Sequence, residues 1–391
     1  MTVCVREAAP VTVGRLRGAS DVDPAAWDRL ARRGFHLHSW FLAGERCGWQ
    51  ARHVAVRGSG ELRTVVPAYL TGAGNLNNLH DRWLGPLSRI MPFAGVSLQP
   101  VISVQSPFAL VPEPLGEDNE LSPALLHQVL ESLEASARAD GAQAVAWPNV
   151  EEDDAALLRV ARERGYGVFY AGASARLQVQ WGSFDDYVAS RSKSVRRTIK
   201  SDLQAIRAAG LRTTVETDFG SAAPAMTALY REAFRHRNGR EAPVPREFFQ
   251  ELSRWPSPGI QAQLTWRGDR LVGTSLNLGT PRLLEGTFSG FLPEHRAGPV
   301  YFNDLFYEPI RVACREGIAA IDLGATALYA KALRGATLRR RLILIRGTTQ
   351  ARHQMFCAVG RLVARHTEWK ERRALGPLWS RHLSTGNEGA A

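Results

Sequence analysis

A tyrosine and two cations lie close together in the segment AIDLGATALYAKALRG, which is formed by residues 320–335. Lys331 and Arg334 are three residues apart, so a helix through them would place both side chains on one face. Two such cations can bind a phosphate or stabilise a negative charge that develops on an oxygen atom. A phenol such as that of Tyr329 can donate a proton to a leaving group. The segment therefore contains candidate groups for binding and for chemistry.

A second group of cations lies in the segment RSKSVRRTIKSDLQAIR, which begins at Arg191. Its apolar residues recur at steps of four, four and three, which predicts an amphipathic helix. Its cations form a separate stripe, which binds phosphates or an acidic substrate in one interpretation and is a solvated face in the other. The candidate binding residues are Lys193, Arg196, Arg197 and Lys200.

The formal net charge of +11 is concentrated near the end of the chain. Residues 331–391 contain thirteen lysines or arginines and three glutamates. Such a field favours a polyanionic partner, namely a nucleic acid, a phosphorylated cofactor or an anionic surface. Arg339, Arg340 and Arg341 are candidate binding residues within it. The alternative interpretation is a solvated basic tail that has no partner.

The composition excludes several other classes of protein. A chain of 391 residues with 45% hydrophobic and 22% charged residues is typical of a soluble globular protein with two domains. The four cysteines are far apart, and no third ligand lies near His36 and His38, so we expect neither a metal site nor a disulfide framework. No apolar run has the length of a signal peptide or a membrane span, so we expect a cytoplasmic protein.

Strand and helix patterns alternate in both halves of the chain, which predicts a mixed α/β fold. RHVAVRG and ELRTVV around GSG predict a hairpin in the first half, and IQAQLTWRGDRLVGTSLNLG predicts another in the second. The stretch 72–114, rich in Gly, Pro and Asn, predicts loops and a binding surface. We expect one domain at 1–182, a second at 183–350, and a basic C-terminal helix and tail at 351–391.

Four segments, which together span about residues 37–335, carry a family resemblance. They are HSWFLAGERCGWQARHVAV with LRTVVPAYL, SFDDYVASRSKSVRRTIKSDLQAIRAAGL, EGTFSGFLPEHRAGPVYFNDLFYEPIRVACREG, and IDLGATALYAKALRG. In this order they resemble the Fem-like branch of the GNAT superfamily, the N-acyltransferases of peptidoglycan-biosynthesis type. The resemblance implies a tandem double GNAT fold, each unit a central mixed sheet flanked by helices. It also implies an enzyme that forms an amide by transferring an acyl group to an amine.

The loop and helix that follow the central strand in this family correspond to residues 296–307 of this chain. Relatives often have His-Phe-Glu where this chain has Tyr-Phe-Asn at 301–303, so two groups that could act as a base are absent. The loop RAGPV lacks a second glycine and Pro299 removes an amide donor, which weakens a standard grip on CoA pyrophosphate. The donor-binding candidates that the resemblance implies are Arg296, Gly298, Tyr301, Asn303 and Gly335.

The chemistry of acyl transfer adds further candidates. The reaction needs a deprotonated amine and stabilisation of a developing oxyanion, which the two cations of the opening segment can supply. Asp304 is the carboxylate nearest the loop and is the first candidate to hold or deprotonate the amine, with Glu285 on the central strand as the second. Tyr307 is a second phenolic proton donor. The catalytic candidates are Tyr329, Lys331, Arg334, Asp304, Tyr307 and Glu285.

Three functions remain open at this level. The resemblance and the basic segments favour aminoacyl-tRNA as the donor, and acyl-CoA is the alternative co-substrate; no tightly bound cofactor is expected. The acceptor is an amine of a cell-envelope precursor or of a specialised metabolite of the antibiotic type. The third possibility is a GNAT-fold protein that binds nucleic acid without catalysis, because the His and Glu of relatives are absent.

Overall fold

The computed structural model describes residues 11–72, 98–109, 111–116, 121–296 and 298–383. Most of the stretch predicted to form loops and a binding surface lies outside the described residues. The described part of that stretch contains a buried strand, Val101–Val104, which the loop prediction missed.

The helices and strands have the following bounds. The helices are α1 (Pro24–Asp28), α2 (His38–Arg46), α3 (Pro123–Ala139), α4 (Ala155–Glu163), α5 (Phe184–Ala189), α6 (Lys193–Ala208), α7 (Ala223–Asn238), α8 (Phe248–Ser253), α9 (Pro299–Phe302), α10 (Glu308–Glu316), α11 (Leu328–Leu333), α12 (Gln350–Leu375) and α13 (Pro377–His382). The strands are β1 (Val11–Leu16), β2 (Gln50–Ala51), β3 (His53–Gly58), β4 (Glu61–Val66), β5 (Ala68–Thr71), β6 (Val101–Val104), β7 (Leu115–Gly116), β8 (Ala144–Glu151), β9 (Gly167–Gln178), β10 (Leu211–Glu216), β11 (Ile260–Arg267), β12 (Arg270–Gly279), β13 (Leu283–Phe291), β14 (Ala320–Gly324) and β15 (Thr337–Gly347).

Most strands lie in one sheet, in the order β10-β11-β12-β13-β14-β9-β15-β8-β6-β5-β2, and β1-β3-β4-β7 form a smaller one. In the second half of the chain, the antiparallel strands β10 to β13 are followed by α10 and by β14, which is parallel to β13. In the first half, the antiparallel strands β5 and β6 are followed by α3 and by β8, which is parallel to β6. One pattern therefore occurs twice, and the predicted mixed α/β fold with tandem GNAT units is confirmed. Both predicted hairpins, β3-β4 and β11-β12, are also present.

Strand β15 departs from the predicted domain division. It lies within the predicted unit 183–350, but it pairs with β8 and β9 of the first half. Strand β9 pairs in turn with β14 of the second half. The two units therefore share a sheet and exchange a strand. Local sequence patterns do not reveal this exchange, because the neighbours of a strand are set by long-range pairing.

The two faces of β11 and β12 differ in character. Ala262 and Leu264 of β11, with the leucines of β12, belong to an apolar cluster that includes residues of α2, α7 and α8. The opposite face carries four buried polar residues. They are Gln263, Thr265, Ser275 and Asn277. Within the described ranges, no helix combines the length and the apolar character that a membrane crossing needs.

Candidate active site

A wedge opens between β13 and β14. Their parallel pairing runs from Leu283 to Glu285, after which β13 continues beside β12 to Phe291 while β14 ends at Gly324. Gly286, the first residue beyond the paired stretch, is exposed to solvent. Separating strands no longer satisfy each other's backbone hydrogen bonds, so a wedge of this kind offers polar groups to a ligand.

One wall of the site contains a π-helical turn, Asn303–Tyr307, between α9 and α10. Pro309 follows it and has no N–H to donate to the carbonyl of Leu305, which interrupts the regular helical pattern. Such turns are rare and often lie at functional sites. Here the turn directs Asp304 toward β11 and Tyr307 toward α6.

Asp304 is completely buried among polar groups. Thr265 Oγ1 lies 2.9 Å from both carboxylate oxygens, and Asn303 Nδ2 donates to Oδ1 over 3.1 Å. Burial raises the pKa of Asp304 to about 7, because loss of water penalises the charged form more than the bonds from Thr265, Asn303 and Gln263 favour it. A carboxyl group that titrates near neutral pH can accept a proton from an amine and release it again.

Arg334 and Tyr307 meet at the same turn. The guanidinium of Arg334 lies over Phe302, with 3.9 Å from Cζ to the ring centroid, and its Nε is buried without a hydrogen-bond partner. Tyr307 donates its hydroxyl proton to Asp202 Oδ2 over 2.6 Å. Burial, together with this acid, raises the pKa of Tyr307, so the phenol is protonated at neutral pH. Its proton points to Asp202, so the predicted transfer to a leaving group would first require this bond to open.

The predicted helix is present as α11, but it ends at Leu333, one residue before Arg334, and the two cations do not act as a pair. Lys331 is buried, and its Nζ donates to the carbonyls of Leu323 and Gly324 at the end of β14. This contact corrects the prediction of a cation aimed at the reacting oxygen, because the ammonium caps a strand. Tyr329 is half exposed. Of the three candidates, Arg334 is the one that faces the π-turn.

Glu285 lies in a buried ion cluster apart from Asp304. Arg33 Nε donates to Glu285 Oε1 over 2.9 Å, and Arg33 NH2 donates to Asp322 Oδ2 over 2.8 Å. Asp304 lies beside Gly273 of β12, and Gly273 pairs with Phe291 of β13. Phe291 is six residues beyond Glu285 on the same strand. That interval corresponds to about 20 Å along a strand. Glu285 is therefore separate from Asp304 and pairs with Arg33, while burial raises its pKa. Its role as an alternative base stays a prediction.

Arg296 and Gly298 have different surroundings in the loop before α9. Arg296 NH2 donates to Glu232 Oε1 over 3.3 Å, and Nε donates to the carbonyl of Phe291. Arg296 is thus engaged by protein groups, which corrects its prediction as a ligand for a donor phosphate. Gly298 has a φ of 146°, and a Cβ there would meet open space. Within the described residues, no three His, Cys, Asp or Glu side chains are grouped as metal ligands.

Tyr301 and Asn303 line the turn and its approach. The ring of Tyr301 packs on Phe291, and burial raises the pKa of its phenol. Asn303 Nδ2 donates to Thr213 Oγ1 as well as to Asp304. Asn303 therefore positions the carboxyl group, a role closer to catalysis than the predicted donor binding.

The three arginines of β15 are paired in the structure. Arg339 NH1 donates to Glu151 Oε2 over 2.6 Å, and Arg341 NH1 lies 2.9 Å from Glu151 Oε1. Arg340 Nε donates to Glu152 Oε1 over 3.1 Å. These bonds connect β15 to the end of β8 and correct the prediction of free phosphate ligands. The sequence reasoning overlooked the two glutamates because they lie far away along the chain.

The stripe of cations on α6 remains accessible. Lys193, Arg197 and Lys200 are exposed, and the predicted apolar face is buried at Ile199. Arg196 differs, since its NH1 donates to the backbone carbonyl of Arg191 over 2.9 Å. Helix α6 contacts α9 and carries Asp202, the acid bonded to Tyr307. Asp202 is nine residues beyond Lys193, which is about two and a half helical turns, so the exposed stripe lies on the side of α6 opposite to this bond.

Sequence reasoning missed three polar residues of the site. Asp202 is the only acid in α6, and a single carboxylate in an otherwise cationic helix is a sequence feature that could have identified it. Gln263 and Thr265 alternate with Ala262 and Leu264 in a strand, which marks a polar face that is nevertheless buried. Alternation alone predicts a solvated face, so the burial of these residues became apparent only from the structure.

Gly335 leaves room for the guanidinium of Arg191. Its φ is 97°, and an added Cβ would collide with Arg191 NH1, which donates to the carbonyl of Arg334. We expect Gly335→Ala to lower the free energy of unfolding by about 2 to 3 kcal/mol, from backbone strain plus displacement of Arg191. Urea unfolding measures this change.

Gly317→Ala is the matched control for that substitution. Gly317 has a φ of 68°, and the space around its Cβ position is open, so only the backbone strain is incurred. We expect a loss of about 1 kcal/mol. Equal losses in the two variants would contradict a packing role for Gly335.

The unit that occurs twice and the wedge between β13 and β14 define the fold as a tandem GNAT fold. The model of the FemAB-like family, described as peptidoglycan biosynthesis/recognition, matches residues 18–344. That match covers most of the chain, so the protein belongs to the FemAB-like family. The predicted Fem-like relationship and acyltransferase class are confirmed.

Solved structures of the same architecture are distant in sequence. The C-terminal domain (DUF2156) of a putative lysylphosphatidylglycerol synthetase from Agrobacterium fabrum has a TM-score of 0.55 at 10% identity, covering 88% of this chain and 97% of that one. FemX has a TM-score of 0.55 at 12% identity, covering 85% and 96%. A conserved protein of unknown function from Bacteroides thetaiotaomicron has a TM-score of 0.53 at 12% identity, covering 85% and 99%. At these identities the likeness concerns the fold alone. No curated protein matches the chain in sequence.

Proposed function

We propose that the protein is an amide-forming aminoacyltransferase that moves an aminoacyl group from aminoacyl-tRNA to the amine of a cell-envelope precursor or specialised metabolite. The observation that carries the proposal is Asp304, a buried carboxyl group of the π-helical turn whose pKa is raised to about 7. An amide-forming step needs a base that is active near neutral pH, and we propose Asp304 as that base in place of the absent His and Glu.

The bond changes assign a role to each group. The amine nitrogen attacks the aminoacyl carbonyl, the C–N bond forms, and the ester bond to the tRNA ribose breaks. Asp304 accepts the proton that the amine loses. Arg334, with its unpartnered Nε, stabilises the oxyanion or holds a donor phosphate. The ribose oxygen leaves with a proton, for which Tyr307 is the nearest phenol on the turn.

A row of buried polar side chains connects the wedge with Asp304. Asn277 pairs with the exposed Gly286 and donates through Nδ2 to Gln263 Oε1 over 3.2 Å. Gln263 in turn favours the charged form of Asp304. Asn277 Oδ1 and Ser275 Oγ are buried without hydrogen-bond partners. Buried polar atoms of this kind are costly unless something binds them, which a polar amine would do.

The choice of tRNA as donor rests on the exposed cations of α6, a helix that contacts α9 with a different side. Acyl-CoA is the second candidate, and the open space at Gly298 favours it, since an unhindered glycine before a short helix allows close approach of a phosphate. The two donors differ in their chemistry, so they can be separated by a single set of assays.

Ribonuclease treatment should abolish amide formation if aminoacyl-tRNA is the donor. Mass spectrometry of a panel of amines, incubated with charged tRNA or with acyl-CoA, measures the product. Activity that resists ribonuclease and requires a CoA thioester would exclude the tRNA proposal. Charge reversal of Lys193, Arg197 and Lys200 should weaken tRNA binding. The slope of the logarithm of the binding constant against the logarithm of the salt concentration should become shallower by roughly 1 for each lost phosphate contact. The matched control reverses Arg159 and Arg162, exposed residues of α4.

A further inference from the structure

Helix α12 lies across the sheet with one side buried. It packs on β9 and β15, and Phe356, Gly360 and Leu375 are buried there. Gly360 has no room for a side chain, since a Cβ would lie 2.6 Å from the ring of Phe169. This close approach fixes the orientation of the helix, so its opposite side must face outward.

The outward side carries large apolar side chains. Leu362 is 61% exposed and Trp369 is 56% exposed. They are seven residues apart, which is two helical turns or about 10 Å along one stripe. Arg365 and Arg373 lie on the same stripe, one turn away from these apolar residues, and both are exposed. Apolar side chains this exposed are uncommon unless a partner covers them.

The charge of this face is positive. Helix α12 contains six lysines or arginines and two glutamates. Glu371 is turned inward, where it accepts a hydrogen bond from the hydroxyl of Tyr170. Glu368 pairs with Arg372 on the surface. The field around Leu362 and Trp369 is therefore dominated by cations.

Helix α11 is a neighbour of α12 and also carries exposed apolar side chains. It contacts α12, and its Tyr329 and Leu333 are 50% and 48% exposed. The two residues are four positions apart and so lie on one side of that helix. Two aromatic and two aliphatic side chains thus rise from neighbouring helices among exposed cations, beside the segment that carries Arg334.

We propose that the outward faces of α12 and α11 dock on the surface of an anionic phospholipid bilayer. Lys and Arg bind lipid phosphates, Trp and Tyr prefer the headgroup level, and Leu enters the acyl boundary. A single-stranded nucleic acid satisfies the cations and aromatic rings but offers no apolar phase to Leu362 and Leu333. The bilayer accounts for all three kinds of side chain. The proposal does not depend on the identity of the acyl donor.

Co-sedimentation of the full chain with vesicles tests the proposal. We expect binding to vesicles of phosphatidylcholine and phosphatidylglycerol in a 3:1 ratio and little binding to phosphatidylcholine alone. Leu362→Ser with Trp369→Ser should reduce the partition coefficient at least tenfold, since both side chains leave the acyl boundary. Arg365→Glu with Arg373→Glu should reduce it more than tenfold, because each cation near an anionic surface contributes roughly fivefold.

Trp255→Ala is the matched control, because Trp255 is 36% exposed beside Arg46 at the end of α8, away from α12. It should bind vesicles as the wild type does. Thermal unfolding should be unchanged in all variants, since the substituted side chains are exposed. Failure of the wild type to bind anionic vesicles, or equal binding by the Leu362 and Trp369 variant, would overturn the proposal. Binding of a 12-nucleotide single-stranded RNA that these substitutions abolish, without vesicle binding, would assign the face to nucleic acid and overturn it as well.

Discussion

Asp304→Asn is expected to lower amide formation by about 100-fold to 10,000-fold, the usual contribution of a general base. In the wild type, the rate should rise with pH through a midpoint near the pKa of about 7, because the carboxyl group must lose its proton before it can accept one from the amine. The measurement is the pH dependence of kcat/KM with the donor and acceptor pair that the ribonuclease experiment identifies.

The same substitution should not destabilise the fold at alkaline pH. The pKa of Asp304 is raised from the ordinary value of 3.8 to about 7, so the unfolded chain releases this proton at lower pH than the folded protein does. Folding stability therefore falls as pH rises from about 4 to 7, by roughly 4 kcal/mol for this group. Asn carries no charge, so the variant should have an equal or higher Tm than the wild type at pH 8.

Glu316→Gln is the matched control for Asp304. Glu316 is a carboxylate at the end of α10, where it pairs with Arg315 at the exposed surface. Its substitution should leave activity unchanged. If Asp304→Asn retained more than a tenth of the activity, or if the pH profile kept its midpoint, the base would have to be another group.

Arg33→Met is expected to lower the free energy of unfolding by about 3 to 5 kcal/mol, because it leaves buried carboxylates without their counterion. Arg33 precedes α2 in the first half of the chain, whereas Glu285 and Asp322 belong to β13 and β14 of the second. The cluster therefore links the two units. Burial acts to raise the pKa of Asp322, but Arg33 and Arg341 outweigh it and hold that pKa below the ordinary value.

Denaturant unfolding and a double-substitution cycle measure this effect. The double variant Arg33→Met with Glu285→Gln should lose less unfolding free energy than the two single variants lose in sum. Each single substitution leaves a buried charge without its partner, whereas the double substitution removes both members of the pair. Arg46→Ala, which breaks an exposed pair of 3.9 Å with Glu251, should cost less than about 1 kcal/mol. A loss at Arg33 no greater than at Arg46 would contradict the linking role.

Residues near each other in the sequence were predicted well. The hairpin β11-β12 follows from alternation around Arg267-Gly268-Asp269, and α6 follows from the spacing of Val195 and Ile199. Asp304 was selected because it lies in the loop and helix that carry the family resemblance. These inferences depend on local periodicity and on short motifs, both of which are contained in a few consecutive residues.

The roles of several charged residues could not be predicted. Glu285 and Arg341 were selected by charge and position, yet each is buried against partners from distant parts of the chain. Lys331 is buried too, against backbone carbonyls at the end of the neighbouring strand β14. Whether a charge is free for a ligand or neutralised by the protein depends on long-range pairing, which composition and spacing do not encode.

The sequence by itself determined the fold class, the two units, the amphipathic helix α6 and the segment that contains Asp304, the base that we propose. The tertiary structure decided that β15 crosses between units, that Asp304 is the carboxyl group with a pKa near neutrality, and that Leu362 and Trp369 face outward. The physical reason is the same in each case. Periodicity defines which side of an element is apolar, but burial, pKa and exposure depend on what packs against that side, and the packing partners come from remote positions in the chain.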